Sequence, residues 1–220
     1  MTTDLRKNFD LSLNELKEEM LNMFNKVTSI YVNLFNILET HNLDLAKKLV
    51  ENDKRINDLE HHINDMAYLI ILRQCPVATD LRRIMTAIKI ANDLERIADY
   101  AENIATYLIK TKHDNTFYIN AMIKFKDPLL AMLKKVEEAY DTKDSNIAFE
   151  VCEMDNTIDA IYRAHIEEFI HITMEKTDIE AEEASRGIIV IKQFERAGDH
   201  ITNIAEHIIY LKSGKQLELN

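Results

Sequence analysis

The sequence predicts an all-α protein built from two tandem three-helix bundles, and three observations carry that prediction. The 220 residues include 3 glycines and 2 prolines, well below the average usage of about 7% and 5%, so long helices are expected. Apolar residues recur at steps of three and four along most of the chain, which is the spacing of an amphipathic helix. A motif near the end of the predicted third helix also returns late in the sixth. We therefore expect six long helices with an internal duplication.

The first half of the chain accounts for three of these helices. Apolar residues at helical spacing between Phe9 and Leu38 predict a long first helix. A turn at 40–42 leads to a second helix over roughly 43–74, which Pro76 ends. The third helix is predicted to begin after Thr79, an N-cap residue type, and to reach about residue 109.

The second half repeats the order after a polar segment at 113–116. The fourth helix, over roughly 117–140, contains Pro128 and is expected to kink or break there. The fifth and sixth helices are predicted over roughly 144–175 and 178–212. Residues 1–112 would form the first three-helix repeat and residues 113–220 the second.

The duplication is visible in the residues themselves. Residues 95–99 read Glu-Arg-Ile-Ala-Asp and residues 195–199 read Glu-Arg-Ala-Gly-Asp, and over 95–105 and 195–205 six of eleven residues are identical. Glu51, Asp53 and Ile56 match Glu153, Asp155 and Ile158 at a similar offset. A duplicated three-helix unit is the simplest account of both matches.

Each copy of the motif places two carboxylates on one helical face. Glu95 with Asp99, and Glu195 with Asp199, stand four residues apart, where like charges repel by roughly 0.2–0.5 kcal/mol. A bound cation would explain why this arrangement occurs twice. On a helical wheel, however, the pairs lie opposite the apolar stripe, as a solvated acidic surface would. The spacing leaves both interpretations open.

The second and fifth helices carry their own pairs, Asp53 with Asn57 and Asp155 with Asp159. These residues flank the apolar stripe, from where side chains can point along a groove toward a neighbouring helix. Together with the motif carboxylates they would form two oxygen-rich sites, suited to hard cations such as Mg²⁺, Mn²⁺ or iron. Gly198, inside the second motif, costs roughly 1 kcal/mol relative to alanine in mid-helix. Close approach of another backbone would explain it, and drift would do so equally.

Composition excludes several classes of protein. The net charge of −11 argues against non-specific nucleic-acid binding. No apolar run approaches the roughly eighteen residues of a membrane span, and the N-terminus is unlike a signal peptide. Cys75 and Cys152 are isolated in the sequence and are interpreted as buried thiols in a reducing compartment. We expect a cytoplasmic protein without membrane insertion and, since no nucleophile or phosphate-loop motif occurs, no enzymatic activity.

Histidines offer a second metal hypothesis. Glu168 with His171 has the spacing found in di-iron carboxylate bundles, and Asp58 with His61 is loosely similar. The two pairs do not correspond under the duplication, which disfavours an oxidase of that kind. His61 and its neighbour His62 are expected at the surface, and His165 in the core or at an interface.

Three stretches resemble the PhoU family of phosphate-transport regulators. Residues 73–82, Arg-Gln-Cys-Pro-Val-Ala-Thr-Asp-Leu-Arg, resemble the junction between its second and third helices, and residues 94–99 and 194–199 resemble its two signature stretches. The resemblance covers essentially the whole chain. It implies surface metal clusters held by Asp53, Glu95 and Asp99 in the first repeat and by Asp155, Asp159, Glu195 and Asp199 in the second. Asn57 stands where a carboxylate is usual, so we expect the second site to hold metal more tightly.

The resemblance also implies a role: a cytoplasmic, non-enzymatic negative regulator of phosphate uptake and phosphate-starvation signalling. The implied partners are the ATPase of the phosphate ABC transporter and the phosphate-sensing histidine kinase, and homodimers are common in the family. Iron, zinc, manganese and magnesium are the candidate metals. The alternatives are an accessory protein of a low-affinity phosphate transporter, a di-iron carboxylate oxidase and a purely structural helical scaffold.

Overall fold

The computed structural model describes residues 2–51, 54–74, 76–111, 116–175 and 178–214. The regular structure within these ranges is helical, so the predicted all-α class is confirmed. Its segments are α1 (Thr2–Thr40), α2 (Leu43–Glu51), α3 (Lys54–Gln74), α4 (Ala78–Thr111), α5 (Thr116–Ile123), α6 (Lys126–Thr142), α7 (Ser145–Glu175) and α8 (Asp178–Ser213).

These segments reproduce the six predicted helices. The first, third, fifth and sixth correspond to α1, α4, α7 and α8. The second corresponds to α2 and α3, and the two residues between these segments lie outside the described residues. The predicted break near Pro128 is confirmed, because α5 ends at Ile123 and α6 begins at Lys126. Pro128 is the third residue of α6, where a helix needs no backbone N–H, and the N–H of Leu129 donates to the carbonyl of Phe125.

Local chemistry sets two of the helix ends. The side-chain oxygen of Asn42 accepts a hydrogen bond from the N–H of Leu45 at 3.1 Å and so caps α2. The predicted cap at Thr79 is wrong: α4 begins one residue earlier, at Ala78, and the N–H of Leu81 donates to the carbonyl of Val77 at 2.9 Å. Thr79 therefore lies inside the first turn.

The two repeats meet where α4 packs against α8. Helix α4 also contacts α1, α2 and α3, while α8 contacts α5, α6 and α7, so each is the inner helix of its own bundle. The pair runs antiparallel, since Asp93 contacts His207 and Tyr100 contacts His200. Positions 100 and 200, equivalent under the duplication, thus face each other as a local two-fold axis would place them. The boundary at 112/113 falls in a segment outside the described residues and stays a prediction.

One continuous apolar core serves both repeats. The ring of Phe194 stacks between Phe35 and Phe125, with ring centroids 5.7 Å and 5.0 Å apart, and all three side chains are fully buried. Because Phe35 belongs to the first repeat and the other two to the second, neither repeat has a closed core of its own.

The remaining sequence predictions have mixed outcomes. Cys75 lies outside the described residues, and Cys152 is half-buried rather than buried, with a pKa that burial and nearby carboxylates raise to about 11. His61 and His62 are exposed as expected, and the His165 side chain, 18% exposed, stacks on the ring of Phe169. Among the described helices, none combines the length and the apolar character that a bilayer crossing needs.

Candidate metal centre

The second repeat brings Asp155 of α7 toward Glu195 and Asp199 of α8. Asp155 is 8% exposed and the Glu195 side chain 12%. Of the two interpretations that the helical wheel left open for Glu195, a solvated face does not fit its burial, because α8 packs against α7 as well as against α4. Asp159 lies one turn further along α7, 43% exposed, and its Oδ2 is 3.4 Å from Nη2 of Arg163.

Two buried carboxylate oxygens in this region have no hydrogen-bond donor. Among the described residues, Asp155 Oδ1 and Glu195 Oε2 have no hydrogen-bond partner although both atoms are buried. Asn57 Oδ1, in the first repeat, is in the same state. An unsatisfied buried acceptor costs about 1–3 kcal/mol, so three of them at predicted ligand positions call for an explanation. Their chemistry, oxygen with free lone pairs, fits a hard cation.

The carboxylates of the second repeat also repel one another. Burial, together with the charges of Asp199, Asp159 and Glu195, raises the pKa of Asp155 to about 7. Burial raises the pKa of Asp199 as well, although the ammonium of Lys192 opposes that shift. The site therefore lacks enough positive charge to balance its carboxylates at neutral pH.

Lys192 brings positive charge to the site, and this role was not predicted from the sequence. Its ammonium donates a short hydrogen bond to Oε1 of Glu195 and lies 4.9 Å from the centroid of the Tyr162 ring. The sequence does contain a signal for this contact. Lys192 stands three residues before Glu195, and residues three apart are neighbours on a helix.

Gly198 is explained by the same carboxylate. A Cβ at this position would lie 2.6 Å from Asp155 Oδ1 and 3.1 Å from Cγ2 of Ile158. The close approach predicted from the sequence is confirmed, but it is made by a side chain rather than by a backbone.

Gly198→Ala should therefore destabilise the protein by about 1–2 kcal/mol. Overpacking typically costs 1–3 kcal/mol, and the better helix propensity of alanine returns up to about 1 kcal/mol. Urea unfolding measures the difference. In an Asp155→Ala background the overlap with the carboxylate is gone, so the same substitution should become close to neutral. An equal loss in both backgrounds would contradict this explanation.

The first repeat presents a less complete set. Glu95 and Asp99 have side chains 21% and 29% exposed, and the Arg96 guanidinium lies 3.7 Å from one and 3.6 Å from the other. Arg96 is itself 53% exposed, so these ion pairs contribute little to stability. Asp53 lies outside the described residues, and Asn57 is half-buried.

The predicted ligands do not form a finished coordination shell. Across the described ranges, no three His, Cys, Asp or Glu side chains are arranged to hold a metal ion. The structure thus gathers under-bonded oxygens and crowds the carboxylates of the second repeat together.

A second polar cluster, also missed in the sequence, joins α4 to α8. Asp93, only 6% exposed, contacts Nδ1 of His200 at 2.9 Å and Nε2 of His207 at 3.4 Å. The hydroxyl of Tyr100 lies 3.2 Å from Nε2 of His200. Burial alone would raise the pKa of Asp93, but the two histidines outweigh it and leave that pKa below its usual value. This cluster is a half-buried polar connection between the repeats, in addition to ion pairs such as Lys17 with Asp141 and Lys126 with Glu39.

Comparison with known families matches this architecture. The family model described as the PhoU domain matches residues 20–108 and 123–208, one copy in each half of the chain. The chain belongs to the PhoU family. The resemblance seen in the sequence is thereby confirmed, and so is the internal duplication.

Similar proteins extend over nearly the full length of this PhoU chain. A phosphate-specific transport system accessory protein PhoU homolog from Clostridium acetobutylicum is 32% identical over 219 residues, covering 98% of this chain and 99% of its own. PhoU homolog 1 from Thermotoga maritima is 32% identical over 213 residues, covering 96% and 91%.

Two solved structures share the fold. The crystal structure of PhoU from Pseudomonas aeruginosa has a TM-score of 0.88 at 28% identity, with 94% of this chain and 100% of that chain covered. The phosphate transport system regulatory protein PhoU from Streptococcus pneumoniae has a TM-score of 0.87 at 24% identity, with 96% and 99% covered.

Proposed function

We propose that this PhoU protein is a cytoplasmic, non-enzymatic negative regulator of phosphate uptake and of phosphate-starvation signalling. Its relatives are named as accessory proteins of the phosphate-specific transport system, which supports a role beside a transporter. The observation that carries the mechanistic part is the set of buried, donor-free oxygens on Asp155, Glu195 and Asn57. Glu195 belongs to the duplicated motif, and Asp155 and Asn57 belong to the pairs that were predicted as ligands on the fifth and second helices.

The protein would act as a metal-binding adaptor with one site in each repeat. Its ligands would be Asp53, Asn57, Glu95 and Asp99 in the first, and Asp155, Asp159, Glu195 and Asp199 in the second. All-oxygen donors favour iron, manganese or magnesium over zinc. A cation would relieve the repulsion that raises the pKa of Asp155. Side-chain reorientation would have to bring the ligands into a common shell.

The proposed partners are the ATPase of the phosphate ABC transporter and the phosphate-sensing histidine kinase, with the protein itself a homodimer. Copurification of the purified chain with each partner tests these contacts. In a strain lacking the protein, a phosphate-starvation reporter should be active in phosphate-rich medium, and the wild-type chain should silence it. A reporter that is silent without the protein would overturn the regulatory role.

The di-iron oxidase alternative fits the structure poorly. Such sites need glutamates and histidines that project into the interior of a bundle. The Glu168 side chain is 49% exposed and that of His61 is 78% exposed, while Asp58 and His171 are also exposed. These residues face outward and lie on no shared interior surface.

Asn57→Asp should strengthen metal binding by the first repeat by about tenfold, because the number of charged ligands tunes the affinity of oxygen sites. Titration of Mn²⁺ followed by calorimetry measures the change. Asn36→Asp, on an exposed position of α1, adds the same charge away from the site. If both substitutions raise the affinity equally, net charge rather than ligation explains the effect.

A further inference from the structure

A cavity of about 230 Å³ opens between the two repeats. One wall comes from α1 and the first turns of α4, and the other from the end of α6 and the end of α8. None of the proposed metal ligands lines it. Anything bound there would touch both repeats at once.

Three cations line this cavity: Lys17 of α1, Arg83 of α4 and Lys143 at the end of α6. Their convergence is unexpected in a chain whose net charge is −11. One acidic side chain, Asp10, shares the lining, and it lies 3.4 Å from Nε of Arg6. The lining itself therefore carries an excess of positive charge.

Two of the three cations form ion pairs with acidic side chains. Lys17 Nζ lies 2.5 Å from Oδ1 of Asp141, and Arg83 Nη1 lies 3.6 Å from Oδ1 of Asp80. Lys143 forms no ion pair with any described residue. Within this cavity, Lys143 is therefore the cation with charge left to offer a ligand.

The end of α6 fixes the backbone of Lys143. It has a φ of 55°, in the left-handed region, and its N–H donates to the carbonyl of Ala139 as the C-cap of α6. Burial and the nearby charges of Arg83 and Lys17 lower the pKa of its ammonium, although Asp141 opposes them. The fold thus holds like charges together, an arrangement that an anion between them would relieve.

Apart from the amide of Asn14, the rest of the lining is apolar or aromatic. Leu13, Leu16 and Ala87 of the first repeat face Leu211 of the second. Tyr140 adds an aromatic wall, held by the Phe24 ring with centroids 5.4 Å apart. A cavity that joins an apolar wall to clustered cations suits a ligand with an apolar body and one anionic end.

We propose that this cavity binds a small organic anion, with a phosphate or carboxylate headgroup against Lys17, Arg83 and Lys143 and an apolar body against the leucines. The volume lies below the 300–1,000 Å³ of typical drug-sized sites, so the body is a single ring or a short chain. Inorganic phosphate alone would leave the apolar wall uncovered. The bound ligand bridges the repeats and stabilises their association, because it binds only the assembled form.

Calorimetric titration of the full-length purified protein with phenyl phosphate, benzoate, inorganic phosphate and benzyl alcohol tests this assignment. We expect phenyl phosphate or benzoate to bind at least tenfold more tightly than inorganic phosphate and benzyl alcohol. Comparison of the first two identifies the preferred headgroup. If inorganic phosphate binds as tightly as either aromatic anion, or if neither aromatic anion binds below 10 mM (about −2.7 kcal/mol), the proposal is overturned.

Variants locate the binding to this cavity. Lys143→Asn removes the charge and retains a residue type that tolerates a positive φ, and it should weaken binding at least tenfold. Lys134→Asn, on an exposed position of α6, removes the same charge elsewhere and should leave the Kd unchanged. Arg83→Gln is the second cavity variant, and circular dichroism checks that each variant is folded. Equal affinity in the wild type and in both folded cavity variants would refute the site.

Discussion

Replacing Glu195 and Asp199 together by alanine should remove metal from the second repeat and release repression of the phosphate-starvation genes. Both carboxylates would face Asp155 across α7 and α8, and their removal leaves the second repeat with only Asp155 and Asp159 of its four proposed ligands. Metal per chain, measured by mass spectrometry on protein purified without chelator, should fall by half or more. In cells, the reporter should rise to the level of the deletion strain.

The matched control is Glu15→Ala with Glu18→Ala, two exposed acidic residues of α1 whose removal changes the net charge equally. It should keep both metal and repression. Unchanged metal content in the Glu195 and Asp199 variant would refute the site assignment. Loss of metal with repression intact would instead separate metal binding from regulation and refute the adaptor mechanism.

Asp155→Asn should make the metal-free protein more stable at pH 8 by about 2–4 kcal/mol. The native pKa of Asp155 is raised to about 7 from an ordinary value of 3.8, so the native state binds more protons than the unfolded state between these values. Stability contributed by this group is therefore full below pH 4 and is lost as the pH rises through 7, and each pKa unit corresponds to about 1.4 kcal/mol. Asparagine is neutral at every pH, so the substitution removes this dependence of stability on pH.

Urea unfolding in the presence of a chelator at pH 5, 6, 7 and 8 measures this dependence. Asp65→Asn, at an exposed position of α3, serves as the control and should leave the slope in place. With saturating metal the order should reverse, because only the wild type gains stability from metal bound in the second repeat. A slope that persists in Asp155→Asn would mean that another group carries the pH dependence.

The sequence predicted the helices well because their signals are local. Apolar spacing and a scarcity of breakers decide each helix within its own residues. The six predicted helices therefore correspond to α1–α8, with the second and the fourth each divided into two segments. The exposure of Glu195 could not be decided from the sequence, for the opposite reason. A helical wheel assumes that one face meets solvent, whereas α8 is covered on more than one side by helices far away in sequence. The carboxylate behind Gly198 belongs to α7 and was invisible for the same reason.

The cluster of Asp93, His200 and His207 left a signal that was not used. With about 100° per residue, Asp93 falls about 40° from Ile97 on the apolar stripe of α4. The two histidines fall on the stripe of α8 by the same count. Charged and polar residues on an apolar face need buried partners, so an unmatched aspartate on one stripe and histidines on the other predict contact between the helices. The specific pairing of Asp93 with His200, which are 107 residues apart in sequence, depends on the tertiary structure and could not be predicted.

The facing of Tyr100 and His200 has a consequence for assembly. In a symmetric dimer of one repeat, a residue on the two-fold axis meets an identical residue. Fusion of two repeats in one chain lifts that restriction, and a phenol here meets an imidazole. Two further positions of the contact between α4 and α8 also differ between the repeats, because the counterparts of Asp93 and His207 are Gln193 and Tyr107. A first repeat paired with its own copy would leave Asp93 facing tyrosines instead of histidines. The two halves are complementary and not interchangeable, which favours the pairing of a first repeat with a second repeat over the pairing of two like repeats.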